Sequence, residues 1–569
     1  MTQFHRWFAG ALTGLFLIAC FPKPGLHFLV WIAIAPLLLA LVSETSLRRA
    51  FGWAYLSGAI FLTGSCYWFV EVTRQYGGLN LALALMALAA FVVVFAAFFG
   101  AFGLVMGAGA RKSPDLALLL SPFLWVAMEL ARTYLITGFP WNLLGYGVSA
   151  TGLRQIACVT GVYGLSFLAA TTSALAAWAI LRWRPRLHRF TNLNGSASVV
   201  DLTMRLNVRW PLISIGAWVA LLLVGNWALA PPPPSPASSL AVLVQPDAPL
   251  EEDAVTVWAP WLNPTKLMQL VNLSLQAASS EERIGGNALG AAAPHHAGAP
   301  LIIWAENPAP FYFTRDPIFR TAVEQMARQG AAYVVVNTVI PANSGRSNIT
   351  NSAVVLDPQG RVILQYDKMH LVPFGEYVPS WAFPNLIGKI TTEAGNFVPG
   401  NSYHVAPTPE GALGVFICYE DIFPQLVRRL AASGATVLVN ISNDAWFGHS
   451  AAALQELEMA RLRAIENRRY LLRATNDGVT ALIDPYGRIE KQIARYQTAV
   501  MTGRFSYRRD QTFYTQHGDV FAWLCAALAA VKVLVALWYP FGGPKANIPR
   551  PLGGEGELHR RSHQPGQAG

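Results

Sequence analysis

Residues 79–110, LNLALALMALAAFVVVFAAFFGAFGLVMGAGA, contain no charged side chain in 32 positions. A helix that crosses a bilayer needs about 20 consecutive apolar residues, so this stretch predicts a transmembrane helix. Residues 51–70, 155–181 and 211–230 are equally free of charge and predict three more. The composition agrees: only 13% of the 569 residues are charged, against about 25% in soluble domains, which excludes a single soluble globule.

Four further apolar runs bring the predicted spans to eight: 7–21, 28–42, 116–138 and 520–539. The first run is expected to be retained rather than cleaved. Lys and Arg in short loops favour the cytoplasmic side of a membrane. Fifteen of them lie on the side of both termini and three on the opposite side. This bias predicts that both termini are cytoplasmic. It also accounts for most of the +10 net charge, so we expect no nucleic-acid partner.

The predicted spans divide the chain into four parts. Residues 1–230 form an N-terminal membrane domain with seven helices, and residues 518–540 form a C-terminal transmembrane helix. Residues 541–569 are a cytoplasmic tail. Residues 231–517 follow the seventh span, so they are predicted to lie outside the cytoplasm.

The 231–517 insert begins with the proline-rich linker PPPPSP and then changes pattern. Short apolar strands separated by turn residues alternate with helical stretches at 317–328, 424–432 and 452–466, which predicts α/β layers. Residues 277–300, rich in Ala, Gly and Ser, are expected to form a surface loop. Its His295 and His296 lack a third ligand nearby, so we expect no metal site.

Cys418 is the one cysteine in this insert, and it ends an apolar strand at 413–418. A lone thiol there is either a small buried hydrophobe or a nucleophile. Glu306 and Lys368 also follow predicted strands, at 301–304 and 362–366. Taken alone, each is equally an ordinary surface charge. Together they are typical of an α/β sheet that gathers functional groups where its strands end.

Glu306, Lys368 and Cys418, in this order, resemble the Glu-Lys-Cys triad of the nitrilase superfamily. The phrases KMHLVPFGEYVP at 368–379, ICYED at 417–421, NDAWFGHS at 443–450 and GFPWNLLGY at 138–146 resemble the bacterial apolipoprotein N-acyltransferase family. The resemblance implies a polytopic α-helical membrane domain with an αββα sandwich, located in the bacterial inner membrane with the sandwich on the periplasmic side. It implies a monomer without cofactor that moves an acyl chain from a phospholipid, through a Cys418 thioester, to the α-amino group of a diacylglyceryl apolipoprotein.

The resemblance also implies roles for individual residues. Glu306 is the expected base, and Lys368 the cation that lowers the thiol pKa and binds the oxyanion. Glu376 is expected to orient Lys368 or receive the amine. Glu129 and Arg132, one turn apart in a predicted span, are expected to pair. The remaining candidates for support or substrate binding are Tyr419, Glu420, Trp446, Phe447, Trp258 and Arg132. Of these, Trp446 and Phe447 are expected to form part of a loop that grips the acyl chain, and Arg132 is expected to contact the phospholipid head group.

Three positions depart from the family pattern: Pro246, Ala305 and Glu456, the last in place of a histidine. They leave the triad intact but put the substrate loops in doubt. Two alternatives stay open at this point. One is a membrane-tethered amidase or hydrolase in which water accepts the acyl group, and the other is a transporter or scaffold with an inactive domain.

Overall fold

The computed structural model describes residues 2–75, 77–183, 198–248, 264–287, 298–306, 312–342, 348–377 and 397–538. Within them the helices before the Pro-rich linker are α1 (Gln3–Ala19), α2 (Ala35–Val42), α3 (Leu47–Ser65), α4 (Trp68–Gln75), α5 (Leu81–Lys112), α6 (Pro114–Tyr134), α7 (Thr151–Arg154), α8 (Ala157–Thr160), α9 (Val162–Trp183) and α10 (Ser198–Ala228). The later helices are α11 (Pro264–Asn287), α12 (Pro317–Gln329), α13 (Pro424–Ala432), α14 (Ala452–Asn467), α15 (Phe513–His517) and α16 (Val520–Trp538).

Among the described residues, four helical segments are long and apolar enough to cross a bilayer: Leu81–Lys112, Pro114–Tyr134, Val162–Arg182 and Trp210–Ala228. Shorter apolar segments cover His27–Val42 and Val520–Val531. The chain is therefore an integral membrane protein, and the total of eight spans stays a prediction.

The predicted span at 155–181 is interrupted at Gly161, which separates α8 from α9. Gly161 has a φ of +63°, which other residues rarely adopt, and a Cβ there would lie 2.5 Å from the ring of Tyr514. Close approach also brings α3 and α5 together, because a Cβ on Gly103 would lie 2.5 Å from the Ala50 carbonyl oxygen. Small residues at such crossings are typical of helix packing in membranes.

The insert folds as two six-stranded sheets. The first has the order β12-β1-β2-β3-β4-β5 and the second β11-β10-β9-β8-β7-β6. The strands are β1 (Ser239–Gln245), β2 (Leu301–Trp304), β3 (Tyr333–Pro341), β4 (Ile349–Leu356), β5 (Val362–Asp367), β6 (Ala406–Pro407), β7 (Ala412–Ile417), β8 (Val437–Ser442), β9 (Leu471–Thr475), β10 (Ala481–Ile483), β11 (Ile489–Gln492) and β12 (Ala499–Phe505). In each sheet three central strands are parallel, β1-β2-β3 and β7-β8-β9, and the outer strands are antiparallel.

The sheets face each other across a core of buried aliphatic side chains, and α11 and α12 cover the outer face of the first sheet. Val335 on β3 and Val415 on β7 lie in one buried core, whereas Val334 and Phe319 of α12 lie in another. Alternation along the buried strands produces this division, because successive side chains point to opposite faces. The α/β layers predicted for the insert are therefore confirmed.

The expected surface loop at 277–300 is wrong in its first part, because residues 277–287 continue α11. Leu270 and Val271 anchor this helix in the outer core, and the good helix formers Ala, Glu and Arg of residues 277–283 extend it as far as the Gly285-Gly286 pair near its end. Residues 288–297, with His295 and His296, lie outside the described residues.

Helix α14 joins the insert to the membrane helices. Gln455 accepts a hydrogen bond from Trp141 Nε1 at 2.7 Å and donates to the carbonyl oxygen of Pro22 at 3.0 Å. Glu458 forms an ion pair with Arg154 at 3.0 Å. These contacts fix the second sheet, from which Cys418 emerges, against the membrane part.

Candidate active site

The three predicted catalytic side chains meet in the space between the two sheets. Glu306 follows β2, Lys368 follows β5 in the same sheet, and Cys418 follows β7 in the facing sheet. The Cys418 thiol is hydrogen bonded to the Glu306 carboxyl, whose Oε1 lies 3.9 Å from Lys368 Nζ. All three are buried. Glu306 and Cys418 are 112 positions apart in the chain, with Lys368 between them, so only the sheet topology brings the three together.

A second carboxylate, Glu376, lies beside Lys368. Lys368 Nζ donates to Glu376 Oε1 at 2.9 Å, and the backbone N–H of Val372 donates to Glu376 Oε2 at 2.8 Å. The ammonium group is therefore held by Glu376 more closely than by Glu306. Glu376 is thus in contact with the ammonium group that it is expected to orient, and this role stays a prediction.

Asn351 was not a candidate from the sequence, yet it connects the two carboxylates. Its Nδ2 donates to Glu306 Oε1 at 2.8 Å and to Glu376 Oε1 at 2.9 Å. Asn337 Nδ2 donates to Asn351 Oδ1 at 2.8 Å, which orients the amide with its hydrogens toward the site. The other oxygen of Glu306 accepts from the backbone N–H of Asn443 at 3.1 Å. The Glu306 carboxyl is thus held by Asn351, by the backbone of Asn443 and by the Cys418 thiol.

Cys418 opens a tight turn that carries its neighbours in different directions. Its φ of +52° is rare for a residue with a Cβ, and it begins the 3-10 helix Cys418–Ile422. Glu420 points into the core and closes the turn, accepting from the N–H of Ile417 at 2.8 Å and from the N–H of Met369 at 2.7 Å. Glu420 thereby joins the cysteine turn to the lysine loop.

Tyr419 lies beside the thiol on the same turn. Its ring packs edge-on against Phe423, with centroids 5.2 Å apart, and lies 6.0 Å from His370. Burial lowers the pKa of His370 to about 4, even though a hydrogen bond between its side chain and the backbone of Thr137 acts to raise this pKa. His370 is therefore neutral and acts as an aromatic neighbour at this wall of the site.

Burial raises the pKa of the Cys418 thiol well above its ordinary value, and the Glu306 carboxylate raises it further. Lys368 acts in the predicted direction and lowers this pKa, but burial outweighs it. The sulfur is therefore a protonated thiol at rest rather than a thiolate. Its proton has an acceptor in Glu306, so the arrangement suits proton transfer during attack on a carbonyl carbon.

The other two triad pKa values follow from the same contacts. Burial raises the pKa of Glu306, while Lys368 opposes this rise. Burial alone would lower the pKa of Lys368, but Glu376 and then Glu306 reverse this and raise it. Lys368 thus remains a cation through the pH range of interest, as an oxyanion partner must.

An aromatic cluster, formed by Trp68, Phe139, Trp141 and Phe447, connects the site to the membrane helices. Phe447 packs edge-on against Trp68 at 5.1 Å and against Trp141 at 5.9 Å, and Trp141 stacks on Phe139 at 6.0 Å. Phe447 and the half-buried Trp446 belong to the turn that follows Asn443. The predicted acyl-gripping pair therefore lies where the insert meets the membrane part.

Arg132 and Glu129 are buried beneath this cluster, but each forms its hydrogen bonds with groups other than its partner. Arg132 Nη2 donates to the carbonyl oxygen of Trp141 at 3.0 Å, and Glu129 Oε1 accepts from Trp125 Nε1 and the N–H of Leu144. No hydrogen bond joins the two side chains, because the loop after α6 turns its backbone toward both of them. Their opposite charges still attract each other, as the expected pairing requires. The head-group role of Arg132 stays a prediction.

Four further sequence-derived positions, and the question of a metal site, complete the comparison. Trp258 lies outside the described residues. Among those described, no group of three or more His, Cys, Asp or Glu side chains could hold a metal ion. Ala305 is buried directly before Glu306, Pro246 follows β1, and Glu456 is buried on α14.

The paired sheets and the buried Glu-Lys-Cys group define a membrane-bound enzyme of the carbon-nitrogen hydrolase class. Residues 244–509 match the family described as carbon-nitrogen hydrolase, and residues 13–175 match the apolipoprotein N-acyltransferase N-terminal domain. The chain belongs to the apolipoprotein N-acyltransferase family.

Relatives named apolipoprotein N-acyltransferase support this membership over almost the whole chain. The protein of Geobacter metallireducens is 35% identical over 531 residues, covering 92% of this chain and 94% of the relative. That of Methylococcus capsulatus is 32% identical, covering 88% of this chain and 91% of the relative. Among solved structures, an amidase from Nesterenkonia sp. aligns at 19% identity and a TM-score of 0.34, covering 50% of this chain and 94% of the amidase.

Proposed function

We propose that this protein transfers an acyl chain from a membrane phospholipid to the α-amino group of the S-diacylglyceryl-cysteine at a lipoprotein N-terminus. One observation carries the proposal: a thiol, a carboxylate and an ammonium group meet in a buried site at the membrane part of a chain related throughout to apolipoprotein N-acyltransferases. Both substrates of such a transfer reside in the membrane.

In the first half-reaction the Cys418 sulfur attacks the ester carbonyl carbon of the phospholipid, expected at the sn-1 chain of a lipid such as phosphatidylethanolamine. The thiol proton passes to Glu306, and Lys368 faces the oxyanion that forms. The tetrahedral intermediate collapses to a thioester when Glu306 returns the proton to the departing lysophospholipid oxygen. Each electrostatic donor in such sites contributes about 2.7–4 kcal/mol to the transition state.

In the second half-reaction the amine of the diacylated lipoprotein attacks the thioester carbon. Glu306 accepts a proton from the amine and returns it to the Cys418 sulfur as the carbon–sulfur bond breaks. The products are an amide and the free thiol. Burial of the thioester under apolar side chains limits competing attack by water.

The arrangement in the membrane is part of the proposal. Residues 231–517 form the periplasmic catalytic domain, between the membrane domain of residues 1–230 and the helix of residues 518–540. Both termini are cytoplasmic, and the protein acts as a monomer without a cofactor. Support for the orientation comes from the distribution of Lys and Arg among the short loops.

The test supplies the purified full chain with phospholipid and a synthetic diacylated lipopeptide. We expect N-acylated lipopeptide and lysophospholipid in equal amounts, none with Cys418→Ala, and an unchanged yield with Cys158→Ala, which removes a half-buried thiol of the membrane part. Free fatty acid without lipopeptide acylation would overturn the proposal in favour of a hydrolase. Undiminished transfer by Cys418→Ala would overturn the assignment of the nucleophile.

A further inference from the structure

A second buried group of ionisable residues lies directly behind the cysteine turn. The carboxyl cluster consists of Asp421, Asp444 and Glu456 around the guanidinium of Arg473, all 0% exposed. Asp421 belongs to the Cys418 turn, Asp444 to the turn that carries Phe447, and Glu456 to α14. Three segments of the site therefore converge on one arginine.

The hydrogen bonds that Arg473 donates do not reach every oxygen of these carboxyl groups: Nη1 also donates to Asn440 Oδ1, and the buried Nε–H has no acceptor. Its Nη1 donates to Asp421 Oδ2 at 2.7 Å, and its Nη2 donates to Asp444 at 3.0 Å and to Glu456 Oε2 at 3.1 Å. Ser442 Oγ donates a further hydrogen bond to Asp444 Oδ1 at 2.7 Å. Two oxygens, Asp421 Oδ1 and Glu456 Oε1, are buried and receive no donor from another group.

The side chains of Asp421 and Glu456 lie within hydrogen-bonding reach of each other, and each keeps one buried oxygen that accepts from no donor. A hydrogen bond between two carboxyl groups needs a proton on one of them, since ionised carboxylates are acceptors only. The charges require the same, because three carboxylates and one guanidinium would leave two uncompensated negative charges in a dry interior. Burial, followed by repulsion from Asp421, raises the pKa of Glu456 well above its ordinary value.

We propose that Asp421 and Glu456 share one proton, with Glu456 as the neutral acid, and that this pair is a positioning element for the Cys418 turn. The protonated oxygen of Glu456 donates to Asp421, and its other oxygen accepts from Arg473. Glu456 thereby ties the left-handed turn of the nucleophile to α14, and so to the membrane part through the neighbouring Gln455. The departure from the family pattern at this position is compatible with the triad because the carboxylic acid supplies a hydrogen-bond donor.

The cluster also acts on the nucleophile at close range. Ser442 is hydrogen bonded to Asp444 and is in hydrogen-bonding contact with the Cys418 thiol, and a negative charge at Glu456 raises the pKa of that thiol. The proton on Glu456 therefore keeps an additional negative charge away from the sulfur. This positioning role rests on the proposed acyl transfer, whereas the protonation of Glu456 does not.

The variant Glu456→Gln tests the proton directly. Infrared spectra of the full chain in lipid nanodiscs, recorded at neutral pH in H2O and D2O, are compared between wild type and the variant. We expect the wild type to show the carbonyl stretching band of a protonated carboxylic acid, shifted in D2O, that Glu456→Gln and Asp421→Asn both lack. The exposed-residue control Glu490→Gln retains the band. A wild-type-minus-variant spectrum that shows only a lost carboxylate band would overturn the proposal.

The positioning role has its own readout in the rate of thioester formation. An amide at position 456 can still accept from Arg473 and donate to Asp421, so Glu456→Gln should stay within about threefold of the wild-type rate. Glu456→Leu has similar volume but no donor, and its rate should fall more than tenfold. Equal rates in the two variants would overturn the positioning role. Should Glu456→Leu fail to fold, a more than tenfold loss in Glu456→Gln would overturn it instead.

Discussion

Replacing Asn351 by alanine tests how the site maintains its base. Asn351 donates one hydrogen bond to Glu306 at 2.8 Å and one to Glu376 at 2.9 Å, and it is 8% exposed. The bond to Glu306 favours the ionised carboxylate, which is the form that accepts the thiol proton. Asn351→Ala removes this support without touching the triad.

The expected magnitude follows from the charge and burial of the bond. A hydrogen bond to a charged group contributes about 1.5–3 kcal/mol, and solvent screens this buried one little. At 1.36 kcal/mol per pH unit, the pKa of Glu306 rises by about one to two units in the variant. Because Glu306 must be ionised to act, the acidic limb of kcat/KM for phospholipid moves to higher pH by the same amount.

The assay measures kcat/KM for the phospholipid across the pH range in wild type and Asn351→Ala. Below the wild-type limb the variant should be about 10- to 100-fold slower, and above its own limb the two rates should converge. Gln365→Ala on the neighbouring strand, which removes an exposed hydrogen bond to Asp367, is the matched control and should leave the profile unmoved. An unshifted limb in Asn351→Ala would refute the assigned role of Glu306 as the ionised base.

Three further predictions concern stability and the junction of the two parts. Arg473→Met leaves three buried carboxyl groups without their cation, so it should lower the free energy of unfolding by about 3–5 kcal/mol, measured as a large fall in Tm. The control Arg361→Met removes an exposed arginine from an ion pair and should change this free energy by less than about 1 kcal/mol. Similar Tm values for the two variants would contradict the importance of the carboxyl cluster for stability. Gly145→Ala would place a Cβ 2.4 Å from the Val162 carbonyl oxygen and should lower the free energy of unfolding by about 1–3 kcal/mol. Gly52→Ala serves as the control, because its Cβ would meet nothing within 4 Å. Equal Tm values for the two variants would show that Gly145 does not approach Val162 this closely. Trp141→Phe retains an aromatic ring but leaves Gln455 Oε1 without its donor, so the free energy of unfolding should fall by about 1–3 kcal/mol. An unchanged Tm would argue against the contact between α14 and the membrane part.

The sequence predicts the framework of this site well because strand ends carry their own signals. The apolar strands before Glu306, Lys368 and Cys418 are found within one or two residues of their predicted bounds. Helix α13 is found at its predicted bounds, since Pro424 opens it and its apolar periodicity is regular. Such features depend on neighbours in the chain, so a single sequence contains them.

What the sequence does not contain is the register between distant strands. Asn351 lies in β4, 45 positions after Glu306, and only the pairing of β4 with β3 and β5 directs its amide into the site. Strand β12 was not predicted for a related reason. Its sequence is short and of mixed polarity, and it forms a strand because it pairs with β1. The hydrogen bonds of Arg132 and Glu129 likewise depend on a loop backbone that helical spacing cannot reveal.

The central claim is that Cys418 carries the acyl chain between the two substrates. Intact-mass measurement of the purified protein after incubation with phospholipid alone tests it most directly. The account predicts a mass increase of one acyl chain, present in Cys158→Ala, absent in Cys418→Ala, and reversed when diacylated lipopeptide is added. A mass increase that persists in Cys418→Ala, or lipopeptide acylation by a wild-type protein that never gains the acyl mass, would contradict it.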